Sequence, residues 1–313
     1  MGIRVKTQPI IKAPARKEVI AVNHNSLWGE SYKRLKKNKA AIISAYFILF
    51  VMAVALLAPV LAPYAFDEQN VERILMSPSA QNLLGTDSLG RDIFSRLIYG
   101  SRISIAVGIF TAVVSLLMGT MYGAVSGWFG GRIDSMMMRM VDILYSIPAL
   151  VLLVLAKVTI ESLDTFKDPE MRALFSIFGA LSIYGWMGMA RIVRGQVLQA
   201  KQMQYIEAAK SLGIRSHAIV LRHILPNILG PIIVTLTFQI PANVMFESFL
   251  SFIGLGLQPP YSSWGVLAYE GWRSLRTFPH LIISPGIAIF LTMLAFNLFG
   301  DGLRDAFDPK TKT

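Results

Sequence analysis

The residues of this chain with the types and spacing of site chemistry stop short of any complete set. Gly85-Thr86-Asp87-Ser88-Leu89-Gly90-Arg91-Asp92 has the glycine spacing of a phosphate-binding loop. It lacks the Lys that reaches the terminal phosphates and the Ser or Thr hydroxyl that takes Mg²⁺. His24, His217, His223 and His280 are scattered, and the pair His217 and His223 stands on different faces of any helix that carries both, so no metal site is predicted. With no Cys there is no thiolate ligand or thiol nucleophile. HExxH and GxSxG are also missing, and no catalytic residue is predicted. What stands out is one acid, Glu247, in an apolar stretch interrupted by Pro231 and Pro241. An ionised group inside a bilayer costs roughly 2.5 to 3.5 kcal/mol on insertion scales. A carboxyl there is a functional suspect by default, or is hydrogen bonded to a Ser or Asn of its own bundle.

The surroundings of these residues are those of a membrane protein. Of 313 residues, 54% are apolar and 16% charged, against about 25% charged in soluble domains. The mean hydropathy is +0.52. This balance disfavours a soluble enzyme and excludes a disordered tail or a disulfide scaffold. The net charge of +11 lies between long apolar runs rather than on one soluble face, so no nucleic-acid partner is predicted.

Six stretches are long enough to cross a hydrocarbon core of about 30 Å: Ala40 to Pro63, Ile103 to Val125, Met136 to Ile160, Ala173 to Ala190, Ile228 to Leu257 and Leu281 to Phe299. The third has an unbroken apolar run only from Ile143 to Ala156, and the fourth is short and rich in Gly and Ser. A pair of buried half-spans is the alternative there. Lys and Arg concentrate in residues 1–39, in 191–222 and after Arg304, which places both termini in the cytoplasm. No apolar run of signal-peptide length occurs in residues 1–39, so the first span is read as an uncleaved anchor. The cluster Lys33, Arg34, Lys36, Lys37 and Lys39 fixes topology and attracts anionic lipid.

Smaller features follow from the same layout. Trp264, Tyr269 and Trp272 fit an outer interfacial belt. Arg139 and Asp142 are spaced for a local ion pair, Lys157 for snorkelling to outer headgroups, and Met136, Met137 and Met138 for flexible packing. Residues 64–102 mix Asp67, Glu68, Glu72, Asp87 and Asp92 with Arg73, Arg91, Arg96 and Arg102, a surface suited to a soluble protein. The Pro-rich loop from Leu257 to Pro279 could dip toward such a protein or lie plainly at the interface.

The longest cytoplasmic connection, 191–227, is patterned. Leu198, Tyr205, Ala209 and Leu212 share a face of a helix predicted over Gln196 to Leu212, and Gly213 ends it with a positive φ. Ser216 caps a second short helix to Ile224, and Pro226 stops it. This element reads equally as an amphipathic helix on the inner leaflet or as a docking knob, with the small pair Ala208 and Ala209 allowing close approach and Glu207 offering an acceptor.

Here the sequence resembles a known family. Glu207-Ala208-Ala209, Gly213 and Ile224-Leu225-Pro226-Asn227 are similar to the EAA loop of ABC-importer permeases. So are Leu84 to Asp92, Glu247 to Gly256, Pro259-Pro260 with Ser263-Trp264-Gly265, and Gly300 to Asp305 through Asp308-Pro309. Together, from about Leu27 to Pro309, they resemble the OppC/DppC-type permease subunit of dipeptide, oligopeptide and nickel importers. The resemblance implies an all-α integral membrane protein with six transmembrane helices: a type-1 ABC importer core of five helices within 99–303, plus the N-terminal helix. The remaining segments are a basic cytoplasmic 1–39, a first helix and extracytoplasmic part in 40–98, and a cytoplasmic tail 304–313.

It further implies a homologous permease as heterodimer partner, two cytoplasmic ABC ATPase subunits and an extracytoplasmic solute-binding protein, in the bacterial inner (cytoplasmic) membrane. Glu207, Ala208, Ala209, Gly213, Ile224, Leu225 and Pro226 would couple to the ATPases, and Glu247, if not hydrogen bonded within its own bundle, would face the path between the two permeases or pair with a base on the partner. No cofactor is expected in this chain, because ATP and Mg belong to those ATPases, and it would be a transport subunit without its own ATPase site. The competing class is a self-sufficient secondary carrier or channel, toward which only Glu247 and the prolines of the fifth span lean.

Overall fold

A computed structural model describes residues 27–163, 167–257 and 260–308. His24 and the rest of 1–26, Pro259, and the tail beyond Asp308 lie outside the described residues.

The described chain is helical, with a lone bridge between Thr86 and Asp92 as its β pairing. α1 (Leu27–Leu35) leads to Asn38, whose side chain accepts from Ala41 N at 3.2 Å and caps α2 (Lys39–Leu56). The first predicted span is therefore interrupted: α2 stops at Leu57, and a single turn, α3 (Ala58–Leu61), follows. α4 (Ile93–Phe129) starts on Asp92, which accepts from Ser95 N at 2.7 Å. At 37 residues it is about 55 Å long, far beyond the predicted limits Ile103 to Val125.

After Gly130 and Gly131, both at positive φ, the chain forms α5 (Gly131–Ser146) and α6 (Ala149–Ser162). These meet at 94°, so the third predicted stretch, Met136 to Ile160, is a bent pair: a broken span or two half-spans, the alternative held open for it. Pro148 explains the bend, since it lacks an amide donor and biases Ile147 to extended backbone. The fourth stretch, by contrast, is one long helix, α7 (Pro169–Ala200).

The short helices α8 (Gln204–Ser211) and α9 (Ser216–Ile219) follow, then a π turn at Val220–Ile224 that runs directly into α10 (Leu225–Leu250) and a second π turn at Ser251–Leu255. Pro231 and Pro241 sit inside α10 without breaking it, which corrects their reading as interruptions. The missing amides would leave the carbonyls of Asn227 and Thr237 without their helical donors, one turn before each proline, while Thr235 and Thr237 fold their hydroxyls back on the carbonyls of Pro231 and Ile233 at 2.8 and 2.9 Å. α11 (Trp264–Arg273) occupies the expected Pro-rich loop, and α12 (His280–Phe307) closes the chain. Among the described residues five helices or runs of helix are long and apolar enough to cross a membrane, or six if the bent α5–α6 pair is one span.

Close backbone approach organises the bundle. A Cβ at Gly119, Gly123 or Gly127 would lie 2.6 Å from Met189 Cβ, 2.4 Å from Ala190 O and 2.9 Å from Arg194 O. These glycines recur every fourth residue, so one face of α4 rests directly on α7. At the end of the bundle carrying α8, Val193, Val197, Ile206, Ile219, Ile224 and Ile228 form one apolar cluster. Toward the end carrying α11, Leu153, Ile177, Leu181 and Leu250 form another.

Candidate functional site

The α8 end holds most of the candidate residues, in a different local structure from the one predicted. The helix expected over Gln196 to Leu212 is broken by a turn at Lys201–Met203. The turn lets Val193, Val197 and Ala200 of α7 and Ile206 and Ala209 of α8 enter the same core. The supposed common face therefore divides: Ala209 is 6% exposed while Leu212 is 80% exposed.

Gly213 has φ +74° and ends α8 as expected. Ser216 is the first residue of α9 rather than its cap, since Arg215 occupies that position and makes no side-chain cap bond. Pro226 starts α10 instead of stopping a helix, because a missing amide costs nothing in a first turn. Of the predicted coupling residues, Glu207, Ala208, Gly213 and Pro226 are exposed, whereas Ala209 and Ile224 are buried and anchor the element. Tyr205, Leu212 and Ile214 are exposed alongside them.

Charged contacts that spacing did not reveal brace this end. Asp134 accepts from Arg194 Nε and Nη2 at 2.5 and 2.6 Å and from Ser126 Oγ at 2.5 Å. Asp142 pairs with Arg191 at 2.6 Å, not with Arg139, and Arg191 lies 4.2 Å from the Tyr145 ring centroid. The available signal was Arg191 and Arg194, one turn apart, opposite acids on a separate helix. Lys201 donates to Trp128 O at 2.5 Å.

At the α11 end, the glycine-containing loop forms a clamp. Asp87 accepts from Arg91 Nε at 2.7 Å and from Arg96 Nη1 at 2.6 Å. Glu270 of α11 takes Arg91 Nη2 at 3.1 Å and is also bound by Arg96. Asp92 accepts from Asn82 Nδ2 at 2.8 Å as well as capping α4.

Arg91, Arg96, Asp87 and Asp92 are all buried, so they are not the mixed surface expected; of that set Asp67, Glu68, Glu72 and Arg102 are exposed. Gly90, at φ +73°, has no room for a side chain: a Cβ would meet Asn70 O at 1.8 Å. The spacing that resembles a phosphate loop serves this turn. Trp264 is buried too and donates Nε1 to Leu97 O at 3.1 Å, fixing α11 on α4; Trp272 is exposed and Tyr269 half-buried. Lys157 pairs with Glu161 one turn away and is buried rather than snorkelling. Met136 is exposed, and Met138 packs against Val141, Leu152 and Met187.

Glu247 is fully buried and accepts from Ser251 at 2.9 Å, Ser104 at 3.2 Å and Ser248 at 3.4 Å. Of its two roles, hydrogen bonding within its own bundle is the one realised in this geometry.

The described chain is thus a bundle of helices, five or six of them runs apolar enough to cross a membrane, with a braced element at one end and a buried clamp at the other. The sequence profile of the family described as binding-protein-dependent transport system inner membrane component matches residues 119–313, and that of the N-terminal TM domain of oligopeptide transport permease C matches 26–78. The dipeptide transport system permease protein DppC of Bacillus subtilis is 43% identical over 284 residues, 90% of this chain and 86% of that one. The oligopeptide transport system permease protein OppC of the same organism is 40% identical over 295 residues, 94% and 93% of the two chains. The fold is similar to a chain of the MetNI methionine ABC transporter, with TM-score 0.55 and 17% identity over 69% of this chain and 98% of that one. This chain belongs to the family of binding-protein-dependent transport system inner membrane components.

Proposed function

We propose that this chain is one permease subunit of an ATP-driven importer of peptides, of the dipeptide and oligopeptide class, and that α8 with the turn to α9 is its coupling element. The observation that carries the coupling role is the division of that element. Ile206, Ala209, Ile219 and Ile224 bury it in the bundle, and Tyr205, Glu207, Ala208, Leu212 and Ile214 are left exposed. A knob held by its own core, with Tyr205, Leu212 and Ile214 set among charged residues such as Glu207, Lys210 and Arg215 on its free side, suits a groove on a soluble subunit.

In this reading the α8 end and both termini face the cytoplasm, and the bent α5–α6 pair counts as one of six crossings. The domain lies within 99–303. A homologous permease completes the path, two cytoplasmic ATPases bind ATP and Mg below, and a solute-binding protein docks on the α11 side. The membrane is the bacterial inner membrane. Glu247 acts as an internal strut rather than as a path residue.

The test is affinity purification of the tagged chain in mild detergent, wild type beside a Glu207→Arg, Gly213→Pro variant, with partners identified by mass spectrometry. The wild type is expected to retain a second permease and an ATPase, and the variant to lose the ATPase alone. A chain that purifies by itself in both forms and still moves solute would overturn the reading.

A further inference from the structure

Trp128, in the last turn of α4, is half-buried against the cluster that holds Ile206 and Ala209 of α8, Ile219 of α9 and Ile224. Two lysines flanking α8 reach its indole: Lys201, before the helix, at 5.6 Å from the ring centroid, and Lys210, near its end, at 5.4 Å. Both lie within the range in which an ammonium is attracted to an aromatic face. Lys201 additionally holds the Trp128 carbonyl. Among the described residues neither lysine forms an ion pair, so the indole is the partner they share. α8 also touches α7 and α10 through the Ile206 and Ala209 cluster and through Tyr205, which accepts from Asn227, but Trp128 is its contact on α4 that takes both lysines.

Trp128 in turn belongs to a long, continuous helix. α4 contains no proline and no change of helical type from Ile93 to Phe129. Of the usual kink sites α4 carries only the Gly-Ser pairs Gly100-Ser101 and Ser126-Gly127, and it runs through both as one helix about 55 Å long. Its first turn carries Arg96, bound to Asp87 and to Glu270 of α11. One helix thus has the α8 lysines at one end and the buried clamp at the other.

We infer that Trp128 is a positioning residue for transport: it is the joint through which a displacement of α8 enters α4 and reaches the Arg96–Glu270 clamp. The inference rests on α8 being the ATPase-docking element. A π face suits the task, because two flexible lysine stems can turn over it while their distance from it is kept. A directional pair such as Asp134 with Arg194 would fix the angle as well.

The test uses the assembled importer in lipid nanodiscs, with hydrogen exchange followed by mass spectrometry, with and without ATP and vanadate. The wild type is expected to change its exchange both in α8 and in the clamp segment 85–96. Trp128→Leu should keep the response of α8 and lower that of the clamp about fivefold, and Trp128→Tyr, which restores a π face, should recover it. If Trp128→Leu fails to assemble, the doubly substituted Lys201→Met, Lys210→Met chain, which keeps both stems and removes both charges, gives the same reading. A clamp that still responds fully in Trp128→Leu, or in the lysine variant, would overturn the joint while leaving α8 as the docking element. A wild-type α8 that does not respond to nucleotide would instead overturn the docking element on which the joint depends.

Discussion

Arg91 and Arg96 at one end of the bundle, and Arg191 and Arg194 at the other, each face two acids. The side chains of the first pair are 3% and 0% exposed, and those of the second 43% and 35%. Burial keeps water from Asp87 and the two arginines, so the clamp members depend on one another: Arg91 and Arg96 each bind both acids, and losing either arginine leaves two carboxylates on one guanidinium. The Asp134 and Asp142 pairs stay partly in solvent, where water can replace a lost partner. One end of the molecule is thus built to stay together, and the other to tolerate adjustment, as an element that receives a moving partner requires.

The comparison can be broken by substitution, read as thermal unfolding of the purified chain in detergent. Arg96→Ala should have the largest effect, about 3 to 5 kcal/mol, since it leaves the largely buried Asp87 and the half-buried Glu270 to share Arg91 alone. A loss below 1 kcal/mol would show the clamp to be hydrated and the contrast false. Asp134→Ala removes charge-assisted bonds from Arg194 and Ser126 in a partly buried place, and about 1.5 to 3 kcal/mol is expected. Glu247→Gln keeps an acceptor for its serines and should cost about 1 kcal/mol with uptake retained. Loss of uptake at unchanged stability would return Glu247 to the path.

Arg191→Ala should lie within about 1 kcal/mol of wild type, because the Asp142 pair is exposed. The smallest change, within about 0.5 kcal/mol, is expected for Leu212→Ser. Its side chain is 80% exposed, so retention of the ATPase in a pull-down, and not stability, is where that substitution should register.

The sequence determined the medium, the all-helical class and the family, because each depends on composition, run length or contiguous motifs. It also determined the end of α8, since a positive φ at Gly213 is a local property. The α5–α6 bend was equally local: Pro148 lay in plain view and was outweighed by the apolar run around it.

Other features needed the third dimension. Residues Asp87 and Arg96 sit in one short segment with several exposed charges, and nothing in that segment says that Glu270, from a helix far along the chain, will close over them. Likewise Lys210 and Trp128 belong to different helices, and only the turn at Lys201–Met203 brings them together. Side-chain pairs within one helix follow from its period. Pairs between helices depend on which faces pack, and here that was decided by the glycine face of α4 against α7 and by the burial it enforces.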